Sequence, residues 1–291
     1  MTWPYISLLG AYLYYKKAMS NFYKRIQFCS IFLLYFITAS SFQPNRDMFL
    51  DATTRMFQQK KLHYHKGAII RGDTAVKELA LIFTGDEFGD GGKLISRVLF
   101  ERKIKASFFL TGNFYRNKAF RSILTTLNRQ GNFMGPHSNH HLLYCDWKNR
   151  DSLLITKSQF EADLEGNLQA MKDAGIKNHP NFFLPPYEWY NDSISKWTLQ
   201  AGLRLINFTP GTLSAADYTY PGLPNYRSSD VIFESILKTE QDSPGGLNGY
   251  LLLIHIGVDS RRPDKFYNRL DSLVTLLLQK GYQFKRVDEM L

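Results

Sequence analysis

Apolar runs of strand length alternate with stretches whose apolar residues recur at helical spacing, and this alternation limits the fold more than any other feature of the chain. Residues 79–83 (LALIF), 106–110 (ASFFL), 132–134, 181–184, 203–208, 250–256 and 282–287 read as strands. Between them, Leu94, Ile95, Val98 and Leu99 mark a helix, as do Ala119, Phe120, Ile123, Leu124 and Leu127. Ile194 and Trp197, then Val231, Ile232, Ile236 and Leu237, then Leu270, Leu273, Val274 and Leu277 mark three more. Thr156 with Gln159 three residues on predicts a capping box, opening a helix whose apolar face is Phe160, Leu164, Leu168 and Met171. Strands alternating with helices predict parallel βαβ units. Seven or so such units predict an α/β fold closed, or partly closed, into a barrel. Functional residues of such folds gather at the C-terminal ends of the strands.

The N-terminus has a different character. Residues 26–39 (IQFCSIFLLYFITA) carry no charge, Lys24 and Arg25 precede them, and Thr38, Ala39, Ser40 and Ser41 close the run. Basic, apolar and small-residue regions in that order form a secretory signal pattern. The run is short for a spanning helix, which needs about 20 residues, although an uncleaved anchor fits as well. Residues 1–42 are therefore expected to be a signal peptide or membrane anchor, and 43–73 a linker and lead-in segment. Residues 74–291 are the expected catalytic domain. The protein is expected to be exported: periplasmic, membrane-anchored or secreted. Met19 also begins a more typical signal, so residues 1–18 could be an upstream mis-start.

The net charge of +10 includes +4 from Lys16, Lys17, Lys24 and Arg25, leaving about +6 for the rest. Its basic residues form no run of five or more, so a solvated surface accounts for them and a nucleic-acid partner is not expected. The two cysteines, Cys29 and Cys145, do not fix the compartment.

Four segments carry chemistry. Gly135-Pro136-His137-Ser138-Asn139-His140-His141 follows a short strand and holds three of the seven histidines. His137 and His141, four apart, would face the same way on one helical turn and could share a cation, with Ser138 capping that turn. Phe83-Thr84-Gly85-Asp86-Glu87 puts two acids at the end of the first strand, where one could ligate a metal and the other act as base. Leu252-Leu253-Ile254-His255 ends an apolar strand on a histidine. In Leu184-Pro185-Pro186-Tyr187 the prolines stiffen a turn and aim Tyr187.

In order and spacing these segments resemble the polysaccharide-deacetylase (NodB-homology) family over about residues 76–291. His137-Ser138-Asn139-His140-His141 matches the family's H-S/T-x-x-H motif in full, and Leu253-Ile254-His255 matches L-x-H. Residues 104–112 resemble its second-strand segment. The resemblance implies a deformed (β/α) barrel, NodB-like, of about seven strands. Two motifs depart from the pattern. The family's T-F-D-D-G, aligned without gaps, falls on Ile82-Phe83-Thr84-Gly85-Asp86, so Thr84 and Gly85 take the places of both catalytic acids. Asp86 and Glu87 lie one or two positions on, and would reach the site only by a re-routed loop. Leu184 stands where R-x-P-Y/F has its Arg. The family's fourth motif is only loosely met by Asp217-Tyr218.

The resemblance implies a metal-dependent hydrolase removing acetyl groups from an N-acetylated polysaccharide or glycan. A divalent ion, Zn²⁺ first among them, is expected on His137 and His141 with Glu87 or Asp86 as third ligand; the other acid is the base, and His255 the acid for the leaving amine. Pro186 and Tyr187 are expected at the substrate, with Trp189, Tyr190 and Trp147 stacking on sugar faces. The alternatives are an impaired, glycan-binding relative and an esterase acting on O-acetyl groups.

Overall fold

The computed structural model describes residues 61–291. The signal or anchor segment, Cys29 and the start of the lead-in segment lie outside them. Among the described residues no helix is long and apolar enough to cross a membrane.

Among the described residues nine strands form: β1 (His63–His65), β2 (Ala68–Arg71), β3 (Glu78–Gly85), β4 (Ser107–Leu110), β5 (Phe133–Pro136), β6 (Phe182–Phe183), β7 (Arg204–Leu205), β8 (Tyr250–His255) and β9 (Gln283–Phe284). The helices are α1 (Gly92–Glu101), α2 (Gly112–Arg116), α3 (Arg121–Arg129), α4 (Lys157–Asp173), α5 (Asp192–Gln200), α6 (Ser229–Asp242), α7 (Leu270–Gln279) and α8 (Val287–Met290). The main sheet runs β1-β2-β8-β3-β4-β5, with β9 also on β3, and β6 and β7 form a separate pair. β8, β3, β4 and β5 are mutually parallel, as the strand–helix alternation predicts. Two seams join the sheets. The Leu184 N–H donates to the Pro136 carbonyl at 3.3 Å, and the Asn207 N–H donates to the Ile69 carbonyl at 2.9 Å. The result is a deformed barrel closed through β5–β6 and β7–β2.

The barrel has two apolar layers because side chains alternate along each strand. On β3, Ala80 and Ile82 face inward, with Phe109, Leu251 and Leu253. Leu79, Leu81 and Phe83 face outward against α1, α3 and α7. Burying each such large side chain contributes about 1.5–3 kcal/mol. Val287 and Met290 of α8 plug one end of the interior, and the Val287 N–H donates to Ser107 Oγ at 2.9 Å. The alternation brings Thr84 and His255 onto the inward face, in register with each other, at the strands' C-terminal ends.

The long helix α4 carries the predicted capping box: Thr156 Oγ1 accepts from the Gln159 N–H at 3.3 Å, and Gln159 Oε1 accepts from the Thr156 N–H at 2.8 Å. Three expectations need correction. The hairpin β1–β2 lies in a stretch whose mixed composition gave no strand signal. The strand expected over 203–208 shortens to β7. The one expected over 282–287 stops at Phe284, because the chain turns into α8 to close the barrel end.

Candidate active site

The strand ends open on a pocket of about 590 Å³, lined among others by Thr84, Asp86, Glu87, His137, His141, Trp147, Tyr187, Glu188, Tyr218 and His255. Three histidines from two distant segments thus meet at one rim.

His137 and His141 do not share a helical turn. The chain after β5 is a loop in which Ser138 (φ 73°) and His141 (φ 55°) are left-handed. Ser138 nevertheless caps it, its Oγ accepting the His141 N–H at 2.8 Å. The two imidazole centroids lie 5.2 Å apart. Helix α4 holds this loop through two polar residues interrupting its apolar face. Asn167 Oδ1 accepts the His137 N–H at 2.7 Å. Asp163, itself buried, accepts from the N–H groups of Asn139 and His140 at 3.0 and 3.3 Å and from the Tyr144 hydroxyl at 2.6 Å. Four apart on a helix, Asp163 and Asn167 face the same way.

His137 Nδ1 lies 2.8 Å from the Leu184 carbonyl. A carbonyl only accepts, so Nδ1 carries the proton and Nε2 keeps its lone pair. Burial holds His137 well below the ordinary imidazole range, and neighbouring His141 adds to this. His141 is also lowered by burial, in part offset by the charge of Asp86. Both rings are therefore neutral donors at neutral pH.

Asp86, one residue past the end of β3, lines the pocket. Its Oδ1 accepts from Thr111 Oγ1 at 2.7 Å and from Asn113 Nδ2 at 3.2 Å. Glu87 is exposed at the pocket's edge. Thr84 is buried, and its Oγ1 has no hydrogen-bond partner.

His255 pairs with buried Asp217: Nδ1 is 2.6 Å from Oδ1, and the His255 N–H donates to Oδ2 at 2.9 Å. Burial alone would lower His255, but the charge and hydrogen bond of Asp217, with Glu188 behind them, raise it above its ordinary value. Asp217, only loosely legible as a motif, is therefore the partner of His255.

The turn after β6 holds the residue that sequence reasoning missed. Tyr187 and Glu188 are both left-handed, at φ 59° and 52°. Asn207 Nδ2 pins the Glu188 carbonyl at 2.9 Å. The Glu188 side chain is 15% exposed, with Oε1 3.9 Å from His137 Nε2. Burial pushes its carboxyl up to about 7, against the pull of His255. Glu188 follows the proline turn directly, and an acid beside a tight turn was the available signal.

The expected aromatic surfaces divide. Tyr187 is exposed and lies between His141 (centroids 4.3 Å) and exposed Trp147 (5.6 Å). Trp189 is half-buried, with Arg150 4.0 Å above its ring. Pro186 is buried beneath the turn. Tyr190 corrects the expectation: it is fully buried, its hydroxyl donates to the His65 carbonyl, and it offers no face to a sugar.

For a divalent ion the donors fit in kind. Two neutral imidazoles, one fixed from behind by a carbonyl, stand beside carboxylates on either side, an N₂O set suited to Zn²⁺. Among the described residues, no three His, Cys, Asp or Glu side chains stand in coordinating arrangement, so one carboxylate would have to close in.

Comparison with known proteins agrees with this geometry. Residues 73–206 match the family model described as polysaccharide deacetylase. An uncharacterized 30.6 kDa protein of Geobacillus stearothermophilus is 23% identical over 281 residues, 92% of this chain and 95% of its own. The solved structure of BA3943 from Bacillus anthracis, a CE4 family pseudoenzyme, aligns with a TM-score of 0.61 at 18% identity, covering 78% of this chain and 69% of that one. A BA3943 mutant with restored enzymatic activity aligns at the same TM-score. The Bc1960 peptidoglycan N-acetylglucosamine deacetylase aligns with a TM-score of 0.61 at 18% identity, over 76% of this chain and 91% of that one. At such identities these structures show the fold, that of the CE4 NodB-like barrels.

Proposed function

We propose, from the match of residues 73–206 to the polysaccharide deacetylase family model, that this protein hydrolyses acetyl groups from an N-acetylated glycan in a metal-dependent reaction. The observation that carries the reading is the convergence of neutral His137 and His141, Asp86 and the Asp217-paired His255 around one pocket. His137 and His141 would hold a divalent ion, Zn²⁺ by donor type, with a carboxylate of the pocket as third donor. When bound, the ion would lower the pKa of a water toward ~7 and polarise the acetyl carbonyl.

The chain's own residues supply the rest. Asp86, its Oδ1 held by Thr111 and Asn113, leaves Oδ2 to take the water's proton. His255, whose charged form Asp217 favours, gives a proton to the departing amine. Tyr187 and Trp147 offer exposed ring faces to a pyranose. Such a substrate suits an exported protein, in keeping with the signal-like run at residues 26–39.

A second reading has its own observation. Thr84 and Gly85 stand where the family has both acids, and a fold neighbour is a pseudoenzyme; a glycan-binding relative without turnover would also keep the aromatic faces. Acetate release from N-acetylated glycan oligomers and acetylated xylan, with and without a chelator, separates the readings. The proposal expects acetate from an N-acetylated substrate, lost on chelation and in His255→Ala. Acetate only from acetylated xylan would make it an O-acetyl esterase. Glycan binding without acetate from any substrate, with Zn²⁺ or Co²⁺ supplied, would contradict it.

A further inference from the structure

The carboxylate that this site needs has moved. Gly85 cannot carry one inward: a Cβ there would meet Ile256 Cγ2 at 2.5 Å, Leu110 at 3.1 Å and Phe114 at 3.2 Å, so the position faces the packed outer layer. Thr84 faces inward but has only a hydroxyl. Glu87 is exposed, and Asp86 is already engaged through Oδ1 beside the His141 side of the pocket. On the His137 side stands Glu188.

Glu188 occupies its place at a cost. Two consecutive non-glycine residues in the left-handed region each store on the order of 1–3 kcal/mol. A glycine at 188 would remove its share. The carboxyl is also largely withdrawn from water, and among the described residues its only ion-pair neighbour is His137. A largely buried acid with no close ion pair, drawn only by the charge of His255 and held on a strained turn pinned by Asn207, is a structural liability that a ligand would resolve. Its spacing fits one. Two donors about 2.0–2.1 Å from one Zn²⁺ stand roughly 3.3 Å apart at the tetrahedral angle. Glu188 Oε1 and His137 Nε2, at 3.9 Å, need to close by only about 0.6 Å.

We propose that Glu188 supplies the third, oxygen donor of the metal set, completing His137 and His141 from the turn after β6 instead of from the end of β3. This rests on the reading of the pocket as a metal site, and it leaves Asp86 free as the base. It also gives Leu184 a context: with the carboxylate relocated, the loss of the Arg at that position removes no partner from Glu188.

The test is Zn²⁺ affinity of the full chain by chelator competition, which needs no substrate. His137→Ala should abolish binding. Glu188→Gln, which keeps the size and the strain, and Glu188→Gly, which relaxes the turn, should each weaken Zn²⁺ by about 10- to 100-fold or more, although only the second changes the backbone. Asp86→Asn and Glu87→Gln should stay within about threefold. Wild-type affinity in both Glu188 variants, or a loss in Asp86→Asn or Glu87→Gln larger than theirs, would overturn the assignment while leaving the metal reading intact. No Zn²⁺ binding by the wild type would overturn both.

Discussion

The two walls of the pocket are built on different terms. The wall after β5 keeps the whole H-S-x-x-H segment and supports it densely: Asn167, Asp163 and Ser138 each fix a backbone N–H of the loop. The other wall, at the end of β3 and in the adjoining turn after β6, carries Thr84, Gly85 and Leu184 where the resembled motifs have two acids and an Arg. It holds instead an orphaned hydroxyl on Thr84 and a buried, strained Glu188. A site can therefore keep its imidazoles in place by ordinary loop hydrogen bonding while its carboxylates migrate. The imidazole wall is expensive to disturb because it is satisfied, and the acid wall is cheap to disturb because it is not.

The largest effect should fall on the supported wall. Asp163→Ala strands two loop N–H groups and the Tyr144 hydroxyl and should destabilise the fold by roughly 3 kcal/mol, read by denaturant unfolding. A loss under about 0.5 kcal/mol would mean that this support is decorative.

On the acid wall the same kind of change should stabilise. The folded state holds the Glu188 proton up to about 7, against 4.5 without burial, so stability is full below 4.5 and falls as pH rises to about 7. In chelated protein at pH 8, Glu188→Gln should therefore raise stability, by up to about 3 kcal/mol. Destabilisation would place Glu188 among the fold's supports and blur the contrast between the walls.

Putting the acids back should separate the two vacated positions. Gly85→Asp meets Ile256, Leu110 and Phe114 and should cost about 1–3 kcal/mol, whereas Thr84→Asp points into the pocket and should cost less. Equal melting temperatures for the two variants would contradict the inward and outward assignment.

A smaller effect concerns pH. His255 is raised above its ordinary value, so the stability of its pair with Asp217 is fully present below about 6.5 and lost as pH rises through the folded value. Asp217→Asn should remove that pH dependence and shift the basic limb of any acetate-release profile to lower pH; an unchanged limb would take His255 out of the proton transfer. Smallest in stability, Trp147→Ala should move unfolding by less than about 0.5 kcal/mol yet weaken oligosaccharide binding, as expected of an exposed ring.

Much of this was readable in the sequence because it is carried by periodicity or by spacing. The apolar runs located β3, β4 and β8, the capping box located α4, and the strand-end rule placed His255 and the His137–His141 segment at one rim. What escaped is what periodicity does not encode. The two histidines meet through left-handed residues at 138 and 141, not through a helical turn. Tyr190 looked like a platform because sequence does not say which side of a short turn a ring takes. For Glu188 the sequence offered only an acid beside a tight turn, because its orientation depends on two left-handed φ angles and a hydrogen bond from Asn207, nineteen positions away. Asp163 and Asn167 could have been found, as polar breaks four apart in the apolar face of α4.

The most direct test is the long-range ¹H–¹⁵N imidazole spectrum of the protein on adding one equivalent of Zn²⁺. The account predicts that the Nε2 resonance of His137 and one ring nitrogen of His141 shift together while the His137 Nδ1 proton stays in place, with the His255 pair to Asp217 undisturbed. Shifts confined to His63, His65 or His179, or no shift at all, would contradict it.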